Sequence, residues 1–215
     1  MSDTVASPIN VDTAVMNQLP DKKLPAVAAS PLAHVSSLDN TEQADNKKVS
    51  LVEDKLLGYL VLRGNAADQS FKQAIKNQLA CELPTKLQCI YTDNLSIRWI
   101  SPDEWLIVCA GDQAFELEVS LRKALVGHYS ICNISGGQTL LVLSGAYARE
   151  VLMKSTSYDV SGCQFPVGKV VTTTVSKSQA IICRKHDNVW ELIIRRSFAD
   201  YIWLWLKDAS AEFNT

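Results

Sequence analysis

The chain carries none of the short motifs that mark the common chemistries. None of its nine glycines falls in GxGxxG or in a P-loop, so phosphate cradles of those kinds are excluded. HExxH and GxSxG are absent as well. The six cysteines (81, 89, 109, 132, 163, 183) include no CxxC pair, which leaves zinc and dithiol redox chemistry without a motif. No apolar run approaches the roughly 18 residues that span a bilayer. The opening MSDTVASPINVDTAV lacks a charged segment followed by an apolar one, so no secretion signal is expected. A formal charge of −2 gives no argument for nucleic-acid or membrane binding. With most cysteines in apolar runs such as LIVCA and AIICR, they are expected to be reduced core residues of a cytoplasmic protein. Cys163, in SGCQFPVG, has no basic neighbour in sequence to activate it.

Aromatic residues are also missing from the first fifty positions, which hold four of the seven prolines and ten charged residues. Such a segment buries too little apolar surface to offset its ordering entropy. Residues 1–29 are expected to be a disordered tail. Residues 30–50 are expected to be an extended arm in which SPLAH (30–34) lies along something already folded. The remaining 51–215 suffice for a domain that buries roughly 70% of its unfolded surface.

From Leu56 onward the periodicity is clear. LLGYLVLRG (56–64) reads as a strand ending at a glycine. A helix follows over about 66–81, with Phe71, Ile75 and Leu79 on one stripe. LSIRWI (95–100) and EWLIVCA (104–110) read as hairpin strands joined across Ser101-Pro102-Asp103. A second helix runs over about 112–126, with Asp112 at its N-cap. Gly136-Gly137 is expected to form a turn between ICNIS and QTLLVLS. The histidines (34, 128, 186) fall in the arm, a helix–strand junction and a turn, scattered as solvated residues are.

The second half repeats this grammar. LVLSG (141–145) matches LVLRG (60–64) at an offset of 81. Trp190 opens a strand seven residues before Ser197, as Trp105 does before Asp112, an offset of 85. The two matches, in order, indicate an α+β fold of duplicated ferredoxin-like α/β units with antiparallel pairing, in halves of about 51–128 and 129–215.

The last helix, in RRSFADYIWLWL (195–206), is over-apolar. Ser197-x-x-Asp200 resembles a capping box and starts it near Phe198. Phe198, Ile202, Trp205 and Ala209 form one stripe; Ala199, Trp203 and Leu206 form the next. One sheet face covers one side only, so a second burying surface is required: the arm, the other half of the duplication, or a partner chain. On the partner reading Trp205 belongs to the core and Trp203 to the interface. The candidate contacts are Arg195, Arg196, Ala199, Trp203 and Leu206, with Pro31, Leu32 and His34 of the arm; the two arginines suit forked bonds to carboxylates.

SPDEWLIV (101–108), ISGGQTLLVLSGAYAREVL (134–152), FPVG (165–168) and RRSFADYIWLWL together resemble the gamma subunit family of heterotetrameric sarcosine oxidase, over about residues 30–209. Asn133, where relatives often carry Asp, and the polar segment 155–164 depart from that pattern. The resemblance implies a shortened version of the folate-binding aminomethyltransferase fold of the glycine cleavage system. It also implies a subunit without catalytic, cofactor-binding or metal-binding residues of its own. The alpha, beta and delta subunits, chiefly alpha, would be its partners. FAD, FMN, NAD, tetrahydrofolate and zinc would sit in those other chains. The complex would demethylate sarcosine oxidatively to glycine, with one-carbon transfer to tetrahydrofolate and electrons passing to oxygen. The alternative is a stand-alone folate-binding protein of the aminomethyltransferase superfamily. A KGCYxGQE-like signature and room for a C-terminal barrel are both missing from it.

Overall fold

The computed structural model describes residues 28–35 and 48–214. The expected disordered tail falls almost wholly outside these residues, as does the middle of the arm.

The apolar strand runs are explained by what covers each face. In β2 (Leu57–Gly64), Leu60 and Leu62 point one way, toward two helices, while Tyr59 and Val61 point the other way. The same division holds in β5 (Glu104–Ala110), β7 (Gln138–Ser144) and β10 (Val189–Arg195). Strands covered on both faces lose the polar alternation of half-exposed ones. The result is four layers. Helices α1 (Gln69–Leu79) and α2 (Ala114–Ala124) lie on sheet I; sheet I lies on sheet II; and α3 (Ala148–Ser155) and α4 (Ala199–Ser210) cover the far side.

Both sheets are antiparallel. Sheet I has the order β3-β4-β5-β2-β6, with β3 at Cys89–Tyr91, β4 at Leu95–Ser101 and β6 at Tyr129–Asn133. Sheet II has the order β8-β9-β10-β7-β1, with β8 at Val170–Val175, β9 at Ser178–His186 and β1 at Ser50–Asp54. The two orders correspond strand for strand, and the repeated words LVLRG and LVLSG occupy the matching strands β2 and β7. The end strands are exchanged. β1 precedes β2 in the chain but pairs with β7, Leu51 opposite Leu143. β6 precedes β7 but pairs with β2, Ile131 opposite Leu62. The turn at Gly136-Gly137 is therefore a 3-10 turn that carries the chain from one sheet to the other and not a hairpin.

Helix starts depart from expectation. Asp68 caps α1, accepting from the N–H of Ser70 at 2.8 Å and of Phe71 at 3.4 Å, and the helix ends at Ala80 with φ 55°. Phe71, Ile75 and Leu79 form its buried stripe. The residue before α2 is Gln113, which makes no side-chain cap, so Asp112 is not the cap. The capping box at Ser197 does not form either: residues 196–198 make a 3-10 turn, and α4 begins after Phe198 without a side-chain cap. The carboxylate of Asp200 instead meets His34 Nε2 at 2.9 Å.

All six cysteines are free; Cys89, Cys109 and Cys183 are buried, whereas Cys132 and Cys163 are exposed. Cys132 lies in a strand, but on an edge where that face is uncovered.

Candidate functional site

The two tryptophans of α4 take the opposite places from those expected. Trp203 is 5% exposed and sits in the core with Ala199, Ile202 and Leu206, while Trp205 is 39% exposed. Ala199 has no bulk beyond Cβ, so this side of the helix can approach sheet II closely, and Trp190, Leu192 and Ile194 of β10 line the same core. Trp205, about 160° from Trp203 around the helix, lies toward α3, where its indole N–H donates to Ser155 Oγ at 3.2 Å. Ala199, Trp203 and Leu206 are thus internal and unavailable to a partner.

The arm supplies part of that burial. Leu32 is enclosed in the same core, with Val35 packed against it, so Leu32 too is internal. Ser30 Oγ donates to Glu53 of β1 at 2.6 Å, and Thr139 of β7 donates to the other carboxylate oxygen at 2.7 Å. His34 and Pro31 remain at the surface, His34 on Asp200. Arg195 and Arg196 are exposed, and neither guanidinium has a partner among the described residues. Arg196 lines a cavity of about 640 Å³ together with Pro31, Leu56 and Gln138.

What the arm and sheet leave uncovered is a largely apolar face, with the exposed Asp208 at its C-terminal end, that the two stripes did not mark. Tyr201, Leu204 and Trp205 project from α4 and Phe198 from the turn before it, with Met153 exposed on α3, which packs against α4. Leu204, 65% exposed, is the most open of the four. The signal was in the sequence: the apolar arc of α4 is wider than any single surface can cover. Its centre could not be read from the residues alone.

Between the sheets lies a buried polar cluster. Arg98 of β4 is ion-paired with Glu191 of β10, and donates to Ser96 Oγ at 2.8 Å. Glu191 also accepts from Tyr91 at 3.0 Å and from Lys185 at 2.9 Å. Burial alone would raise the Glu191 carboxyl; Arg98, Lys185 and Tyr91 outweigh it and hold the group below the usual carboxylate range. No signal marked these residues in the sequence, because they come from two stretches, 91–98 and 185–191, that only the stacking of the two sheets brings together. Among the described residues, no group of three or more His, Cys, Asp or Glu side chains is placed to hold a metal ion, and no helix is long and apolar enough to cross a membrane.

The architecture is that of an aminomethyltransferase domain. The chain superposes on aminomethyltransferase T of the glycine cleavage system from Bartonella henselae with a TM-score of 0.57 at 15% identity, over 74% of this chain and 45% of that one. Its sequence narrows the class. Residues 63–212 match the sarcosine oxidase, gamma subunit family, and the chain belongs to it. The sarcosine oxidase subunit gamma of Corynebacterium sp. (strain U-96) is 27% identical over 189 residues, 86% of this chain and 91% of that protein. A chain of the heterotetrameric sarcosine oxidase from Corynebacterium sp. U-96, solved in complex with pyrrole 2-carboxylate, matches with a TM-score of 0.78 at 26% identity, over 87% of this chain and 97% of that one.

Proposed function

We propose that this chain is the non-catalytic gamma subunit of a cytoplasmic heterotetrameric sarcosine oxidase, in which it acts in assembly and seats chiefly against the alpha subunit. The observation that carries this reading is the uncovered face of α4. Tyr201, Leu204 and Trp205 of α4, and Phe198 just before it, are exposed, while the opposite side of the helix is packed. Exposed aromatics next in sequence to Arg195 and Arg196, which have no partner among the described residues, have the composition of a protein–protein interface core. Family membership supplies the kind of occupant, another subunit of such an oxidase.

On this reading the complex oxidatively demethylates sarcosine to glycine, passing the one-carbon unit to tetrahydrofolate, and the chain contributes surface and no reacting group. FAD, FMN, NAD, tetrahydrofolate and zinc belong to the other subunits. The test is co-expression with a tagged alpha subunit, with the chain also purified alone. The expected result is stoichiometric co-purification, and an isolated chain without a flavin spectrum or stoichiometric zinc. A micromolar dissociation constant for tetrahydrofolate with the chain alone, and no co-purification, would favour a stand-alone folate-binding protein instead.

A further inference from the structure

The layer between the sheets holds two thiols as well as its ion pair. Cys89 of β3 and Cys183 of β9 come from different sheets and pack in one cluster with Val170. The Tyr91 hydroxyl lies 3.2 Å from Cys183 Sγ. Arg98 stands directly opposite Cys89 in the β3–β4 register and is 1% exposed. Its Nε is buried with no acceptor among the described residues, a condition buried donors rarely keep. An anionic sulfur at Cys89 would add a second negative charge near the guanidinium, which Glu191 already pairs.

Access is one-sided. Cys183 is wholly enclosed, whereas Cys89 lines a cleft of about 550 Å³ between residues 86–90 and 166–169. Gly168, φ +83°, fixes the wall of that cleft: its carbonyl accepts the Cys89 N–H at 2.8 Å, and its own N–H donates to the Arg184 carbonyl at 2.8 Å. The electrostatics agree with the geometry. The neighbouring Cys183 thiol and the Arg98 guanidinium hold Cys89 below the ordinary thiol range against the effect of burial. The neighbouring Cys89, together with burial, pushes Cys183 up.

We infer that Cys89 and Cys183 form a peroxide-responsive dithiol site, with Cys89 as the attacking sulfur and Cys183 as the resolving one. The Cys89 thiolate attacks a hydroperoxide oxygen. An S–O bond forms and the O–O bond breaks, and the departing hydroxide or alkoxide takes a proton from solvent. Cys89 is then a sulfenic acid. The Cys183 sulfur attacks it, the S–S bond forms and the S–O bond breaks, and the Cys183 thiol proton leaves with the hydroxyl as water. Two thiols have lost two electrons to the peroxide, and the new bond joins edge strand β3 of sheet I to β9 of sheet II.

The exposed Cys132 and Cys163 are internal controls, since accessibility alone favours them. The full chain is exposed to substoichiometric hydrogen peroxide, quenched by alkylation and mapped by peptide mass. The Cys89–Cys183 linkage is expected to form about tenfold or more faster than either control oxidises, and the linked form to melt at a higher temperature than the reduced one. In Cys183→Ser, Cys89 is expected to accumulate as a dimedone-trapped sulfenic acid; in Cys89→Ser, Cys183 is expected to stay reduced. Wild-type kinetics decide the matter if either variant folds poorly. Prior oxidation of Cys132 or Cys163, or trapping of Cys89 without linkage to Cys183 in the wild type, would overturn the inference.

Discussion

Arg98 and Glu191 are each almost fully enclosed between two sheets, and their pairing makes the layer sensitive to single substitutions. Removing one partner leaves the other charge buried without compensation, which costs about 3–5 kcal/mol, whereas replacing both with apolar residues can be neutral. Glu191→Gln is therefore expected to lower the urea midpoint sharply, and Arg98→Met/Glu191→Leu to recover most of the loss. A pair of midpoints that fall additively would contradict this. The pH dependence has a definite sign. The folded Glu191 carboxyl lies below its ordinary range. Its contribution is therefore complete above the pKa of the unfolded chain and is lost as pH falls through the folded value. Asp54 acts in the opposite sense, since burial and Glu191 raise its pKa. Acid titration of the melting temperature is expected to show a weaker decline in Glu191→Gln than in the wild type. The tryptophans of α4 separate equally clearly. Trp203→Ala empties a core position and is expected to cost about 3–5 kcal/mol. Trp205→Ala loses one hydrogen bond and a half-exposed ring, about 1–2 kcal/mol. Thermal melts in which Trp205→Ala is the more damaging of the two would reverse the assignment.

At the scale of elements, α4 shows what a sequence specifies and what it leaves open. Its apolar width called for two burying surfaces; sheet II, α3 and Leu32 of the arm cover one side, and the other stays exposed. Which stripe met the sheet was not legible. Phe198, Ile202 and Trp205 are as apolar as Ala199, Trp203 and Leu206, and the choice turns on the close approach that Ala199 allows and on a partner pairing of strands far away in the chain. The start of α4 misled for a related reason. Ser197 and Asp200 have capping-box spacing, but Asp200 is engaged by His34 from outside the helix, a contact with no local trace. By contrast Asp68 caps α1, a choice set within a few residues of chain. The uncovered face makes its own prediction. Leu204→Asp places a charge where the isolated chain has solvent, so the melting temperature should hardly change. Co-purification with a tagged alpha subunit should weaken by about 2 kcal/mol or more if this is the buried centre of the interface. Unaltered co-purification would move the docking surface elsewhere on the chain.

At the scale of the whole molecule the decisive feature is the exchange of β1 and β6. The repeat was legible because β2 and β7, and β5 and β10, hold equivalent central places in the two sheets, so LVLRG and LVLSG, Trp105 and Trp190, face equivalent demands. Even there equal letters serve unequal ends. Gly64 leaves room for the Phe71 ring, which would lie 2.4 Å from an added Cβ, while Gly145 adopts φ +116° against the Lys48 carbonyl. The exchange left no word in common, since β1 and β6 are edge strands whose partners are chosen by closure of the whole fold. Its consequence is that neither half completes its own sheet. A fragment of residues 48–128 keeps β1 without β7 and lacks β6 beside β2; a fragment of 129–214 keeps β6 without β2 and lacks β1 beside β7. Each would expose a long, apolar central strand as an unpaired edge, the arrangement that drives association. Expressed singly, the fragments are expected to aggregate or pair with themselves. Expressed together, they are expected to co-purify as a one-to-one complex with a single cooperative melt. A soluble monomer of either fragment with its own cooperative transition would show that the exchanged strands are dispensable and that the two halves fold independently.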